Sequence, residues 1–550
     1  MAAPASQTYN ALLSDRSYWT NRGRQAAALT IPYLMPSVDD PAPNSNPTLD
    51  LPWTGVGQQG VNNLANRLLM QLLPPTEPFF RLTIDEIQMA LETADIEDKE
   101  LVAEQKAEYE AVLNKLERAT LRAIETSNDR PVVHELLLHL LVVGNVLAYR
   151  PKSGLRAFHL NRYVLKREPV GRPSLAVICE QMAVHSLPDK AKEIYDKEAG
   201  AHQGSEDPKS VAGSDLAKVY TRIEWDYRAG MVRWHQEICD KQIPDTDGQS
   251  PLDESPWMPL RMYHLDGQDY SPGFVEAACI ADLNTSDVLS QAIVEGALVS
   301  ARCIWGIKPN SQLTPKQFAD AKNGAAVTAM PDDVFAIQSN KAADLRVAAE
   351  AEQRISARLS QAMMLQSFRD SERTTAQEVR LQALQLENGL GSIYSILTVE
   401  FQHPYVKRML ALMTDEGNLP PLPKKLVKPV VSVGLAAVGR GNDLERITQF
   451  VDLIAKLLGP EAVPAFMKVP RLVSQMATAS NLPNLDAIKS EKEVREEQAA
   501  QQQQAQQQQM QLAAMQSAAA DPQKLANAAA TVQQMAQPPE GQQPPDIPAP

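Results

Sequence analysis

Residues 274–302 read FVEAACIADLNTSDVLSQAIVEGALVSAR, and every charge before the final Arg302 is negative: Glu276, Asp282, Asp287 and Glu295. Small residues such as Ala277, Ala281, Ser290, Gly296 and Ala297 recur along the stretch and permit close helix approach. At 1.5 Å per residue it predicts a rod about 43 Å long. Residues 341–365 predict a second rod, which mixes Lys341, Arg346, Arg354 and Arg358 with Asp344, Glu350 and Glu352. Arg354 and Arg358 share one helix face at i, i+4. Between the rods, residues 304–340 carry five helix breakers, Gly306, Pro309, Pro315, Gly324 and Pro331, and read as non-helical. A polar break at 366–374 leads into a third helix, from Thr375 to about Met413. Two rods flanking a breaker-rich segment are the pattern that decides the fold.

The flanks read as α+β, mainly helical. On the N-terminal side, periodicity predicts helices at 9–29, 61–73 and 101–124, and Pro74-Pro75 ends the second of these. Residues 132–143, behind Pro131, are apolar nearly all round and predict a buried helix. From 149 to 265 the pattern shifts to short strand-like runs, such as 176–179 and 219–225, around a polar insert at 199–214. Beyond the third helix, 427–433 reads as a strand suited by Pro429 to an edge, and 443–458 as a helix. From Glu497 the chain turns to Gln and Ala, as in QQQQAQQQQ at 501–509, and from Pro538 it is expected to be disordered.

A chain of 550 residues predicts three or four modules. Hydrophobic residues make up 44% but aromatics only 5%, so the core must rest on Ala, Leu, Val and Ile. Lys and Arg number 53 against 67 Asp and Glu, a net charge of −14. That balance argues against a protein that coats nucleic acid electrostatically. It is compatible with one past which DNA must slide without sticking. The first 30 residues carry no basic-then-apolar secretory signal. The longest apolar run, 136–149, is interrupted by His139, Gly144 and Asn145, and is shorter than the roughly 20 residues a bilayer span needs. Cys179, Cys239, Cys279 and Cys303 form no CxxC pair and fit scattered thiols in a reducing compartment. The expectation is a soluble intracellular protein, with no membrane partner.

Enzyme motifs fail on their context. Gly55-Val56-Gly57-Gln58-Gln59-Gly60 matches the dinucleotide pattern GxGxxG, but Pro52-Trp53-Thr54 is no buried strand and no βαβ unit follows. A glycine-rich lead into the next helix explains it as well. His134 and His139 flank Glu135 as in HExxH with one residue too many; five positions put the imidazoles about 140° apart, unable to grip one metal. No GK[ST] phosphate loop and no GxSxG elbow occurs. No catalytic residue, metal or cofactor is expected.

Seven blocks in order over about 410 residues resemble the head-to-tail connector, or portal, proteins of short-tailed bacteriophages. They are 30–36 (TIPYLMP), 52–57 (PWTGVG, continuing into 60–65), 142–147 (VVGNVL) and Arg261-Met262 with Leu265-Asp266-Gly267. The others are 375–380 (TAQEVR), 391–397 (GSIYSIL) and 434–441 (GLAAVGRG). The resemblance implies the portal fold: twelve subunits in a ring around a DNA channel. It implies a wing over 1–270, a first stem helix over 271–302, a clip over 303–340 and a second stem helix over 341–365. A channel loop at 366–374 would follow, then a wing-spanning helix and return strand over 375–440, a helical crown over 441–496 and a Gln/Ala/Pro-rich tail over 497–550. The family's loop has a glycine between its arginines, where this chain has Arg369-Asp370-Ser371-Glu372-Arg373.

The resemblance further implies a protein of the virion's capsid vertex, made in the bacterial cytoplasm, through which the genome is packaged and ejected. Its implied partners are other copies of itself, double-stranded DNA, the terminase large subunit, scaffolding protein, the major capsid protein, a tail adaptor and internal core proteins. Candidate channel residues are Arg369, Arg373, Arg354, Arg358, Arg346 and Lys341, with Glu276, Asp282, Asp287 and Glu295 as an acidic stem wall. Lys308, Lys316 and Lys322 are candidates for docking at the clip. For the four arginines from Arg354 to Arg373, pairing with Glu350, Glu372 or neighbouring subunits competes with DNA contact. The rival reading is another virion structural protein, an internal scaffold or a tail-tube ring.

Overall fold

The computed structural model describes residues 3–35, 49, 51–74, 79–84, 99–202, 216–301, 304–337, 342–365, 393–415, 427–431, 448–454 and 456–457. The chain divides into two compact units, Met1–Ala437 and Val438–Pro550. In the second, 448–454 and 456–457 are helical, inside the stretch expected to be a helix.

The first unit is mixed α+β and mostly helical. It opens with α1 (Ala5–Ala28), α2 (Val56–Leu72), α3 (Lys99–Thr126) and α4 (Asp129–Val143), with β1 (Phe80–Ile84) before α3. Strands β2 (Asn145–Tyr149), β3 (Arg156–His159), β4 (Tyr163–Arg167) and β5 (Pro173–Ala183) follow, then α5 (Asp189–His202). Next come β6 (Leu216–Asp226), β7 (Met231–Ile238), β8 (Lys241–Gln242), β9 (Gly248–Pro251) and β10 (Trp257–Arg261). The rest comprises α6 (Ile280–Ala301), β11 (Ile304–Ile307), α7 (Pro315–Asp320), β12 (Val334–Ile337), α8 (Ala342–Ala362), α9 (His403–Asp415) and β13 (Val427–Val431). One six-stranded sheet has the order β4-β5-β6-β7-β8 with β9 also on β7, and a three-stranded sheet has β10-β2-β3.

Helix α4 is the centre of the core because no face of it is polar. From Leu136 to Val143 every residue is buried, between α1 and α2 on one side and the three-stranded sheet on the other. Its one ionic end is satisfied internally. Asp129 accepts from Arg150 Nε at 2.7 Å, from the Leu155 amide at 3.0 Å and from the Tyr405 hydroxyl at 2.6 Å. That carboxylate joins the start of α4 to the turn between β2 and β3 and to α9, and a buried charge is tolerated only with such partners. Gly144 then reverses the chain at φ 85°, where an added Cβ would strike the backbone of Ser271 and Pro272. Asn145 holds the same corner, donating to the Ser271 carbonyl at 2.7 Å and accepting its amide at 3.0 Å. The corner matters because the chain leaves the body there to form α6.

Several boundaries differ from the sequence expectation. Helix α2 begins at Val56, not 61, so Gly57 and Gly60 lie within it. The polar insert expected at 199–214 includes the end of α5, to His202, and its remainder lies outside the described residues. The segment 304–340 is not wholly non-helical: α7 lies between the paired strands β11 and β12. Pro315, read as a breaker, sits in the first turn of α7, where its missing N–H is not needed. Thr314 and Gln317 close a reciprocal capping box over that turn. The third helix is described from 393 and carries a π-turn at Thr398–Gln402; a second π-turn, Val275–Cys279, leads into α6. The expected strand at 427–433 is β13, which pairs antiparallel with β1.

Candidate functional site

The two rods of the sequence form an antiparallel pair, α6 against α8, joined by the β11/β12 hairpin. Their register is set by three contacts. Arg358 Nε lies 2.7 Å from Asp282 Oδ2, and its Nη2 pairs with the other carboxylate oxygen. Ser286 Oγ donates to Glu352 at 3.4 Å. Further along, a Cβ on Gly296 would come within 2.6 Å of Leu345, so α6 is small where α8 is bulky. Because the Arg358–Asp282 pair is solvent-exposed, it contributes less than about 1 kcal/mol and mainly fixes register.

The root of the pair explains the GxGxxG pattern. A Cβ on Gly57 would sit 2.6 Å from the Leu29 carbonyl and 3.1 Å from Leu283 of α6. One on Gly60 would overlap Met363, just beyond the end of α8. Asn63 Nδ2 then donates to the Met364 carbonyl at 3.0 Å, and the Trp53 amide donates to Asp287 at 2.6 Å. These glycines admit both rods to one face of α2 and leave no open cradle for a pyrophosphate. On α1, Arg22 pairs with Glu276 and lies over the Tyr18 and Trp19 rings. Burial pushes the Glu276 carboxyl up, with Arg22 pulling the other way.

Of the candidate channel cations, Arg346, Arg354 and Arg358 are exposed on α8. Arg358 is paired, with an aspartate of the first rod and not with Glu350. No ion pair reaches Arg346 or Arg354 among the described residues. Lys341, Arg369 and Arg373 lie outside the described residues. The acidic residues are not one bare wall. Glu276 and Asp282 are neutralised by arginines, Asp287 holds a backbone amide, and Glu295 accepts from Gln291 at 2.9 Å. Lys308, Lys316 and Lys322 are all exposed on the hairpin segment. There Trp305 packs edge-on to Phe318, and Asp333 takes Ser311 Oγ and the Met330 amide, each at 2.9 Å. Sequence reasoning missed Trp53, Asn63, Arg22 and Met363 as root residues; Gly60 in a helical period was the signal for one of them.

His139 stacks on His159 with ring centroids 6.2 Å apart, and no group of three or more potential metal ligands occurs among the described residues. No described helix is long and apolar enough to cross a membrane.

The first unit is thus an α+β body bearing an exposed helix pair and hairpin. The profile of a family described as "Bacteriophage head to tail connecting protein" matches residues 2–488. The chain belongs to that family, the portal proteins of the phage head-tail connection. It is 33% identical over 463 residues to the portal protein of Escherichia phage T7, covering 82% of each chain. It is 32% identical over 469 residues to that of Enterobacteria phage T3, covering 84% of this chain and 83% of that one. The portal protein of Pseudomonas phage phiKMV is 26% identical over 485 residues. Among solved structures, "Neck of native GTA particle computed with C12 symmetry" aligns over 72% of this chain and 85% of that one, with 12% identity and a TM-score of 0.31.

Proposed function

We propose that copies of this chain, twelve in number, close into a ring around a channel through which double-stranded DNA enters and leaves the capsid. The observation that carries this is the state of α6 in a single chain. Val288, Leu298 and Val299 are 58%, 62% and 56% exposed, and only Leu283 and Ser286 of the helix are buried. An apolar helix so poorly covered needs a neighbour, since burial is worth about 25 cal/mol per Å² of apolar surface. A head-to-tail contact between unlike faces closes into a ring when its rotation divides the circle.

In this reading 1–270 is the wing, α6 and α8 the stem, 303–340 the clip, 366–374 the channel loop and 441–496 the crown. The net charge of −14 suits a conduit, because duplex DNA, with one phosphate charge per roughly 1.7 Å of axis, would be held fast by a basic lining. The terminase large subunit, and afterwards the tail adaptor, dock at the clip, where Lys308, Lys316 and Lys322 offer charge. Scaffolding and major capsid proteins meet the ring as the procapsid starts, and internal core proteins stack on it. ATP hydrolysis belongs to the terminase. Electron microscopy of the purified full chain tests the ring: a closed annulus with a central hole is expected. Monomers and dimers alone at micromolar concentration, by native mass spectrometry, would overturn it.

A further inference from the structure

The two outer faces of the helix pair carry charges of opposite sign at matching heights. In the antiparallel register Gly296 lies beside Leu345, so Glu295 and Arg346 stand level along the pair. Both are exposed. At about 100° per residue, Glu295 lies on the face of α6 opposite Leu283 and Ser286, which face α8 and the body. Arg346 likewise lies well away from Leu345 and Leu359, on the outer side of α8. Within one chain the two charges therefore point apart. Their apolar neighbours repeat the pattern: Val288 and Val299 flank Glu295 on α6, and Val347, 64% exposed, flanks Arg346 on α8.

We infer that the outer face of α6 in one copy packs on the outer face of α8 in the next, with Glu295 of the first paired to Arg346 of the second. The inference rests on the ring reading and adds which faces meet. The inference takes the helix pair to run along the ring axis; cyclic symmetry then keeps every copy at the same height, so a side chain meets an oppositely charged partner in the next copy only at its own level. Glu295 and Arg346 satisfy that condition, and their faces are unlike, as a head-to-tail contact requires. The α6 face adds no cation that would repel the arginine, since no Lys or Arg occurs between Phe274 and Ala301. Arg346 is thereby a ring-closing residue and not a channel cation.

Charge reversal in the full-length protein tests this. Glu295→Arg and Arg346→Glu should each raise the protein concentration for half-assembly about tenfold or more, because like charges then face across every interface. The double reversal should restore assembly towards the unmutated level. A second readout does not depend on stability. In a Cys239→Ser, Cys303→Ser background, the Glu295→Cys, Arg346→Cys double variant should give a ladder of multimers with a short bis-maleimide cross-linker, and neither single variant should. Unmutated protein that forms no rings would sink the ring reading and this pairing with it. Rings that form normally, with no rescue in the double reversal and no ladder, would overturn the pairing alone. Loss of DNA retention in intact Arg346→Glu rings without a ladder would return that residue to the channel.

Discussion

His159 is a histidine that the fold keeps neutral. Its ring stacks on His139 from α4, its Nδ1 has no hydrogen-bond partner among the described residues, and Arg16 of α1 and Arg162 add positive field. Burial first, then those three groups, pushes its pKa down to about 3. The sign follows from proton counting. Between its ordinary value near 6.5 and about 3, the unfolded chain binds a proton that the folded chain refuses, so stability falls as pH drops through that window. The slope from this group is at most about 1.4 kcal/mol per pH unit. Chemical denaturation from pH 7 to pH 4 should show that loss, and His159→Phe should flatten it; an unchanged slope in the variant would remove His159 as the cause. Little of this was legible in the sequence. His139 could be rejected as a metal ligand from its spacing to His134, but its real neighbour comes from β3 and no local pattern announces it. Arg358 and Asp282 are the same case: 76 residues separate them, while the i, i+4 rule pointed only to neighbours on α8.

At the scale of elements, periodicity located α2 and α3 through their apolar faces and α4 through its nearly continuous apolar run, while α6 and α8 stood out as long stretches without helix breakers. It could not resolve the hairpin segment, whose strands are four residues each and whose helix has six. Such short pieces are set by partners, not by their own pattern. The two π-turns were also invisible, since an extra backbone residue leaves the composition unchanged. The glycines of α2 were visible but ambiguous. Gly60 is now tied to Met363, so Gly60→Leu should force the end of α8 off the body. Overpacking of this kind costs about 1–3 kcal/mol, and here it acts on the anchor of the helix pair. A fall in melting temperature and new protease cleavage within 342–365 are expected. Gly55→Ala, whose Cβ would meet nothing closer than Gln59 Nε2 at 3.8 Å, is the control and should behave normally. Equal behaviour of the two variants would show that the root is not closely packed.

For the whole molecule, the proposed channel must hold DNA although the protein is acidic and charges of α6 and α8 are partly spent on each other. Arg358 is held by Asp282, and Arg346 is assigned to the neighbouring copy, so of the proposed channel cations Arg354, Lys341 and the two loop arginines remain as candidates. Arg369 and Arg373 lie between the second rod and the third helix, where the family resemblance places a loop that reaches towards DNA. A loop repeated around a ring puts its charges at one height, so weak contacts from many copies act together. Each must be weak, because phosphate contacts strong enough to hold DNA alone would stall its passage. The expected role is therefore a brake against slippage. Changing Arg369 and Arg373 together to Ala should leave ring formation and motor docking intact while reducing retention of packaged DNA. The deficit should narrow as salt rises from about 0.01 M to 0.15 M, since the Debye length shortens from about 30 Å to 8 Å and screens the arginine–phosphate contacts of the unmutated particle too. Packaged length and DNA leakage across that salt series measure it. Retention equal to the unmutated particle at every salt concentration would move the brake elsewhere, to Arg354 or to the stem as a whole.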